Sequence, residues 1–168
     1  MPGQRSVTLR FLAEPVHVNF GGKVHGGAVM KWIDQAGYSC AAAWSGEYCV
    51  TVYVGGVHFL RPIRVGELVE LRALVIHTGR TSIHVAVDTY ARDPKAGARH
   101  RCGHCVIVFV PLDDNGRSKP TPPWVPETEV DRALQEYALR LVELRKTMDE
   151  EVTARLALLD AQPGDGPA

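Results

Sequence analysis

Nowhere in these 168 residues is there an uninterrupted apolar run of about 18 residues, the least that spans a membrane as a helix, so no membrane span is expected. The opening stretch, MPGQRSVTLRFLAEP, holds no apolar core of the secretory kind, and no export signal is expected either. Charge of one sign is not in excess, since 19 lysines and arginines face 19 aspartates and glutamates. That balance removes any long-range pull toward nucleic acid or a lipid surface, and no helix-turn-helix or basic segment stands out. Neither partner is expected. Four cysteines, at positions 40, 49, 102 and 105, fit free thiols in a reducing cytoplasm. Cys102-Gly-His-Cys105 lacks a second ligand pair at matching spacing. Residues three apart on a strand point to opposite faces, so these two thiols are not expected to converge. Burial as small hydrophobes is the plainer reading, and no metal is expected. The G-x-S-x-G phrase of serine hydrolases is also missing.

What is present reads as one domain with a trailing unit. Ser6 to Leu12 alternates as a strand, with Val7, Leu9 and Phe11 on one face. A glycine-rich polar loop, VHVNFGGKVHGG, follows. From about Gly26 the period becomes helical, with Val29, Met30, Ile33, Ala36, Gly37, Cys40 and Ala41 on one stripe, and Ser45-Gly46 ends it. Four strand-like runs come next: YCVTVYV, continued by GGVHFLRP across a glycine bulge, then ELVELRALVIHT, TSIHVAVDTYAR and ARHRCGHCVIVFVPL. A proline-rich linker, PTPPWVP, leads to a helix from Glu129 whose stripe is Val130, Leu134, Tyr137, Leu141, Leu144 and Met148. That stripe needs a surface, either the chain's own sheet or another subunit. The division is residues 1–120 for the domain, 121–162 for the linker and amphipathic helix, and 163–168 for a disordered tail. A long apolar helix followed by consecutive antiparallel strands implies an α+β sheet wrapped around one helix. Such a sheet has an open edge that a second copy would cover.

The polar residues densest against the helix lie between Asn19 and Asp34. Gly26 and Gly27 open the helix, where free N–H groups and the positive end of the dipole can stabilise an oxyanion; a tight entry into a packed helix is the alternative. Asp34 stands two turns in among apolar neighbours, where partial burial would make it a better base. An exposed edge position beside Lys31 is the alternative. Asn19 can orient a water or a carbonyl, or simply form a turn.

The phrase N-x-x-G-x-V-H-G-G-x-x-M-x-x-x-D, here Asn19, Gly22, Val24, His25, Gly26, Gly27, Met30 and Asp34, resembles the signature of the cytosolic long-chain acyl-CoA hydrolases and their bacterial short- and medium-chain relatives. The likeness continues through Val50-Thr51, VHFLRPIRVGELVE, the turn Thr78 to Ser82, and VFVPLDDNGRSKP, covering roughly residues 7 to 120. The resemblance implies a hot-dog fold and hydrolysis of acyl-CoA to free fatty acid and CoA at a subunit interface. Asp34 would act as general base or nucleophile, with Asn19 of the partner subunit orienting water or carbonyl and the amides of Gly26 and Gly27 contacting the oxyanion. His25, His58, Phe59, Arg80, Thr81 and Ser82 would meet the substrate, the last three near the CoA arm. Arg61, Arg64, Arg99 and Arg101 are further candidates for its phosphates, though each is more commonly a solvated charge. A homodimer at minimum, with three dimers assembling further, is implied, as is a cytoplasmic location. CoA is part of the substrate and no separate cofactor is called for. Lys23 departs from the acidic or amide residue found before H-G-G in neighbouring members. A non-catalytic acyl-CoA-binding or sensing protein on the same fold is the rival reading, against which the chain carries both Asn19 and Asp34.

Overall fold

The computed structural model describes residues 3–95 and 97–160, so the tail expected to be disordered, residues 163–168, lies outside it. Strand β1 (Ser6–Leu12) leads through a short 3-10 turn (Pro15–His17) to helix α1 (Gly26–Ser45). Strands β2 (Tyr48–Val54), β3 (His58–Phe59), β4 (Leu68–Thr78), β5 (Ile83–Arg92) and β6 (His100–Leu112) follow, and helix α2 (Glu129–Asp160) closes the described chain. The sheet is antiparallel in the order β1-β4-β5-β6-β2, with β3 also on β6. β2 and β3 are one line along β6, broken at Gly55-Gly56. A Cβ at Gly55 would stand 2.8 Å from the Val106 carbonyl oxygen, so only glycine lets the chain pass there.

α1 lies in the concave face of this sheet. Ala36, Cys40 and Ala41 have no exposed surface, and their small side chains let the helix sink against Val69, Leu71, Val85, Val87, Ile107 and Phe109. The stripe differs from expectation at one turn. Met30 is 48% exposed and Trp32 is buried in its place, because Trp32 packs edge-on against both Phe11 (4.8 Å between centroids) and His17 (5.0 Å). Gly46, at φ 74°, ends the helix in the left-handed cap and donates its N–H to Ala42.

A second correction concerns the cysteines. In the β5–β6 ladder Thr89 pairs with Gly103 and Tyr90 with Arg101, which leaves Cys102 as the extra residue of a β-bulge. The bulge reverses the alternation, so Cys102 and Cys105 both face the α1 core rather than opposite sides. Burial raises the Cys40 thiol to about 12 and those of Cys102 and Cys105 to about 11. All four cysteines are free and buried.

α2 packs on the other face. Leu134, Ala138 and Leu141 cover Leu74, Ile76, Ala86 and Val106. Its start is a reciprocal capping box: Asp131 N–H donates to Thr128 Oγ1 at 3.1 Å, and Thr128 N–H to Asp131 Oδ2 at 3.1 Å. Arg5 fixes the same carboxylate from β1's side at 2.6 Å.

The helix comes close to the sheet at Gly37, where a Cβ would lie 2.9 Å from the Phe109 ring and 3.3 Å from Ile107 Cγ2. Gly37→Val should therefore destabilise the fold by about 1–3 kcal/mol through overpacking, read as a lower urea midpoint with an unchanged slope.

Candidate active site

The loop before α1 is organised by Asn19. Its Oδ1 accepts the N–H groups of Gly21 (2.9 Å) and Lys23 (3.1 Å), and its own N–H donates to the Lys23 carbonyl at 2.7 Å. Gly22, at φ 73°, allows the reversal. Asn19 is thus the turn former that the local alternative foresaw. With Oδ1 engaged in this way, the amide is oriented, and among the described residues Nδ2 has no acceptor, so it is free to donate outward.

His25 is the N-cap of α1. Its Nδ1 accepts the Ala28 N–H at 3.0 Å, which leaves the ring proton on Nε2. A Cβ at Gly27 would come within 3.2 Å of that Nδ1, so glycine gives the ring room to cap. Among the described residues the N–H groups of Gly26 and Gly27 have no acceptor. Gly26 stands in the wall of a groove of about 350 Å³ lined also by Asn19, Lys23, Phe59 and Arg61. The structure therefore brings Asn19, Gly26 and Phe59 together, with His25 and Gly27 beside them.

Asp34 is not in that groove. Eight residues separate it from Gly26, about 12 Å along the helix axis. In the single chain its side chain is exposed, the edge position that was the alternative to partial burial, because α1 turns this position toward the open β2 edge of the sheet. It makes no ion pair with Lys31 among the described residues. Its one hydrogen-bond partner among the described residues is Thr51 on β2, whose Oγ1 donates to Asp34 Oδ1 at 2.7 Å. Thr51 was not picked out as a site residue from the sequence. The available signal was that it is the only serine or threonine in the run YCVTVYV.

The remaining candidates are dispersed. His58 and Phe59 are adjacent on β3 and face opposite sides; Phe59 lines the groove at α1, whereas His58 lines a cleft under α2. Arg80, Thr81 and Ser82 form the β4–β5 hairpin, held by Thr121 N–H to the Arg80 carbonyl (3.0 Å) and Gly79 N–H to the Ser82 carbonyl (2.9 Å). In the β5–β6 register that hairpin lies beside Ile83–Phe109, and Phe59 beside Gly103. Six residues of strand, about 20 Å, separate the two. Of the other arginines, Arg61 lines the groove. Arg99 is bound to Glu70 on the outer face, and Arg101 to Tyr90 and Asp88. Among the described residues no three metal-ligating groups converge, and no helix is long and apolar enough to cross a membrane.

The family model of the thioesterase superfamily matches residues 21–98. The acyl-CoA thioester hydrolase YciA of Salmonella typhimurium is 31% identical over 71% of this chain and 92% of its own length. The chain belongs to the thioesterase superfamily. Its hot-dog architecture superposes on that of a hexameric acyl-CoA thioesterase at a TM-score of 0.83, with 31% identity over 89% of this chain and 96% of the other. An acyl-CoA hydrolase from Staphylococcus aureus, solved with butyryl coenzyme A, coenzyme A and coenzyme A disulfide, gives 0.84 and 27% identity over 94% and 96%. That enzyme has also been solved with alanine in place of an asparagine, of an aspartate and of a threonine, which lie 15 and then 17 residues apart in its sequence. Asn19, Asp34 and Thr51 have the same spacing here.

Glu70 on the outer face yields a separate expectation. Burial alone would raise its pKa, but Arg10, Arg72 and Arg99, all within 2.8 Å of its oxygens, outweigh that and hold it down at about 2. A depressed carboxylate stabilises the fold above its ordinary range near 4.5 and loses that contribution as pH falls toward 2. Glu70→Gln should lower the denaturation midpoint at pH 7, and its difference from the native chain should vanish by pH 2.

Proposed function

We propose that the protein hydrolyses acyl-CoA thioesters, adding water across the thioester to give a carboxylic acid and free CoA, at sites shared between two copies of the chain. The observation that carries this reading is the pairing of Asp34 with Thr51, outside the groove that holds Asn19 and Gly26. One chain presents two half-sites, and each is open where a second copy can complete it. The spacing shared by Asn19, Asp34 and Thr51 with the residues replaced in the staphylococcal enzyme supports the same trio.

In the completed site Asn19 Nδ2 and the Gly27 amide donate to the thioester carbonyl oxygen, where negative charge develops on attack. Asp34 of the other copy takes a proton from the attacking water, or attacks the carbonyl itself and is released by water afterwards. Thr51 holds Oδ1 of Asp34 and so leaves Oδ2 to the reaction, which makes it a positioning residue. Lys23 and Arg61 flank the groove and suit the phosphates of CoA. His25, Phe59, Arg80, Thr81 and Ser82 stand as further contacts along its arm. No cofactor is needed for this hydrolysis. The edge that accepts the second copy is β2, where Tyr48, Val52 and Val54 are 63%, 45% and 47% exposed and Tyr38 of α1 lies alongside. A trimer of such dimers is the assembly that the hexameric relative suggests. The free thiols suit a reducing, cytoplasmic setting.

Thiol release from acetyl- to palmitoyl-CoA should be seen with the native chain and fall about 100- to 10,000-fold in Asp34→Ala, with losses in Asn19→Ala and Thr51→Val as well. Mixed dimers of Asn19→Ala and Asp34→Ala chains supply the decisive arm. A site shared between copies leaves one intact centre per mixed dimer, so isolated mixed dimers should regain about half of the native rate and an equimolar, re-equilibrated mixture about a quarter. No recovery on mixing would place both residues in one chain's site and refute the shared arrangement. Tight acyl-CoA binding with no thiol release by the native chain would point instead to a sensing protein.

A further inference from the structure

Helix α2 covers only part of the outer face of the sheet. Its apolar side lies on Leu74, Ile76, Ala86 and Val106, and its Tyr137 Oη meets His104 Nε2 at 3.2 Å. Beyond His104, toward the other end of the strands, the ladders set Arg10, Glu70, Tyr90 and Arg101 side by side across β1, β4, β5 and β6. None of the four is buried. Arg72 and Arg92 project from the same face, and Arg99 lies over the Tyr90 ring at 4.2 Å.

Charge is out of balance on this face, although the net charge of the chain is zero. Arg10, Arg72, Arg92, Arg99 and Arg101 stand against two carboxylates, Glu70 and Asp88. Glu70 is the pin. Its Oε2 accepts from Arg10 Nε at 2.6 Å, and its Oε1 from Arg72 Nε at 2.7 Å and Arg99 Nη1 at 2.8 Å. Each of these guanidiniums spends one of its five N–H donors on the carboxylate. The side chains of Arg10, Arg72 and Arg99 are 60%, 48% and 39% exposed, against 13% for Glu70. The anion is thus shielded and the cations are displayed. Arg92 is exposed and makes no ion pair among the described residues.

Arg10, Leu68, Tyr90, Arg92 and Arg99 line a hollow of about 390 Å³, with Glu70 in its wall. We infer that this hollow binds an organic diphosphate, the guanidiniums of Arg10, Arg92 and Arg99 holding the phosphate oxygens and Tyr90 and Leu68 the organic part. Planar forks with several N–H donors match phosphate oxygens two at a time, and like charges gathered this closely repel one another until an anion enters. Size argues for more than inorganic phosphate. Four oxygens at about 30 Å³ each, a water's share of the liquid, would fill only about a third of the hollow. Two sources carry a diphosphate of this kind: the nucleotide half of a CoA, and a free nucleoside diphosphate. The groove of Asn19 and Gly26 lies against α1 on the opposite face of the sheet, so the two sites are separate. Binding here does not depend on the hydrolysis proposed above, and either can fail without the other.

The test is isothermal titration calorimetry of the full chain with pyrophosphate, ADP and CoA. Pyrophosphate should bind saturably, and Arg92→Gln should weaken it about tenfold or more. With no ion pair to lose, that variant should keep the native melting temperature. Arg10→Gln should act in the same direction, whereas Arg140→Gln, on α2 and away from the hollow, should change nothing. Thiol release from acyl-CoA separates the two sources. If the nucleotide half of CoA occupies the hollow, Arg92→Gln raises KM with kcat kept, and ADP competes with acyl-CoA. If a free nucleotide does, ADP binds with the same dependence on Arg92 but does not compete, and KM is unchanged. No saturable binding of pyrophosphate or ADP, or binding that Arg92→Gln and Arg10→Gln leave intact, would overturn the diphosphate site and leave the hydrolysis standing. An equal loss in Arg140→Gln would overturn it too, as diffuse attraction to a basic surface. Arg92-dependent binding by a chain that releases no thiol would keep the site and bring down the hydrolysis.

Discussion

The close seating of α1 in the sheet is the constraint on which the rest depends. Ala36, Gly37, Cys40 and Ala41 present almost no bulk, and the Phe109 ring fills the space that a side chain at Gly37 would need. A helix held this firmly cannot roll. Its first turn therefore sets Gly26 in the wall of the groove, and its third turn delivers Asp34 to Thr51. Core packing and the placement of the two half-sites are a single fact seen from two sides.

Much of this architecture is legible in the order of residues. The helical period from Gly26 to Ser45 and the alternation of the strands are both long and regular, so tertiary contacts have little to override. Where the reading departs from the structure, the reason is local. The bulge at Cys102 adds one residue that no alternation rule can foresee, and every face beyond it is inverted. Trp32 displaces Met30 from the core because two aromatic partners, Phe11 and His17, arrive from far along the chain. The capping box of Thr128 and Asp131 was readable as a T-x-x-D phrase.

The site itself is less legible than the fold. Spacing marks Asn19, Gly26, Gly27 and Asp34 as a group, yet in one chain they divide between a groove and an edge. The sequence leaves Asp34 open between partial burial and an exposed edge, because periodicity reports the helix face and not what faces it; in the folded chain it is exposed. Thr51 escaped attention for the converse reason. A threonine in a strand is ordinary until its hydroxyl is seen to meet a carboxylate.

The burial of the cysteines has a chemical corollary. All four sulfurs are held as thiols in the interior, with burial pushing each above its usual ionisation range. A thiolate is what attacks a disulfide, so the protein offers no ready partner for mixed-disulfide formation. Around the proposed reaction, the only nucleophilic sulfur in the open would be that of the CoA leaving the groove.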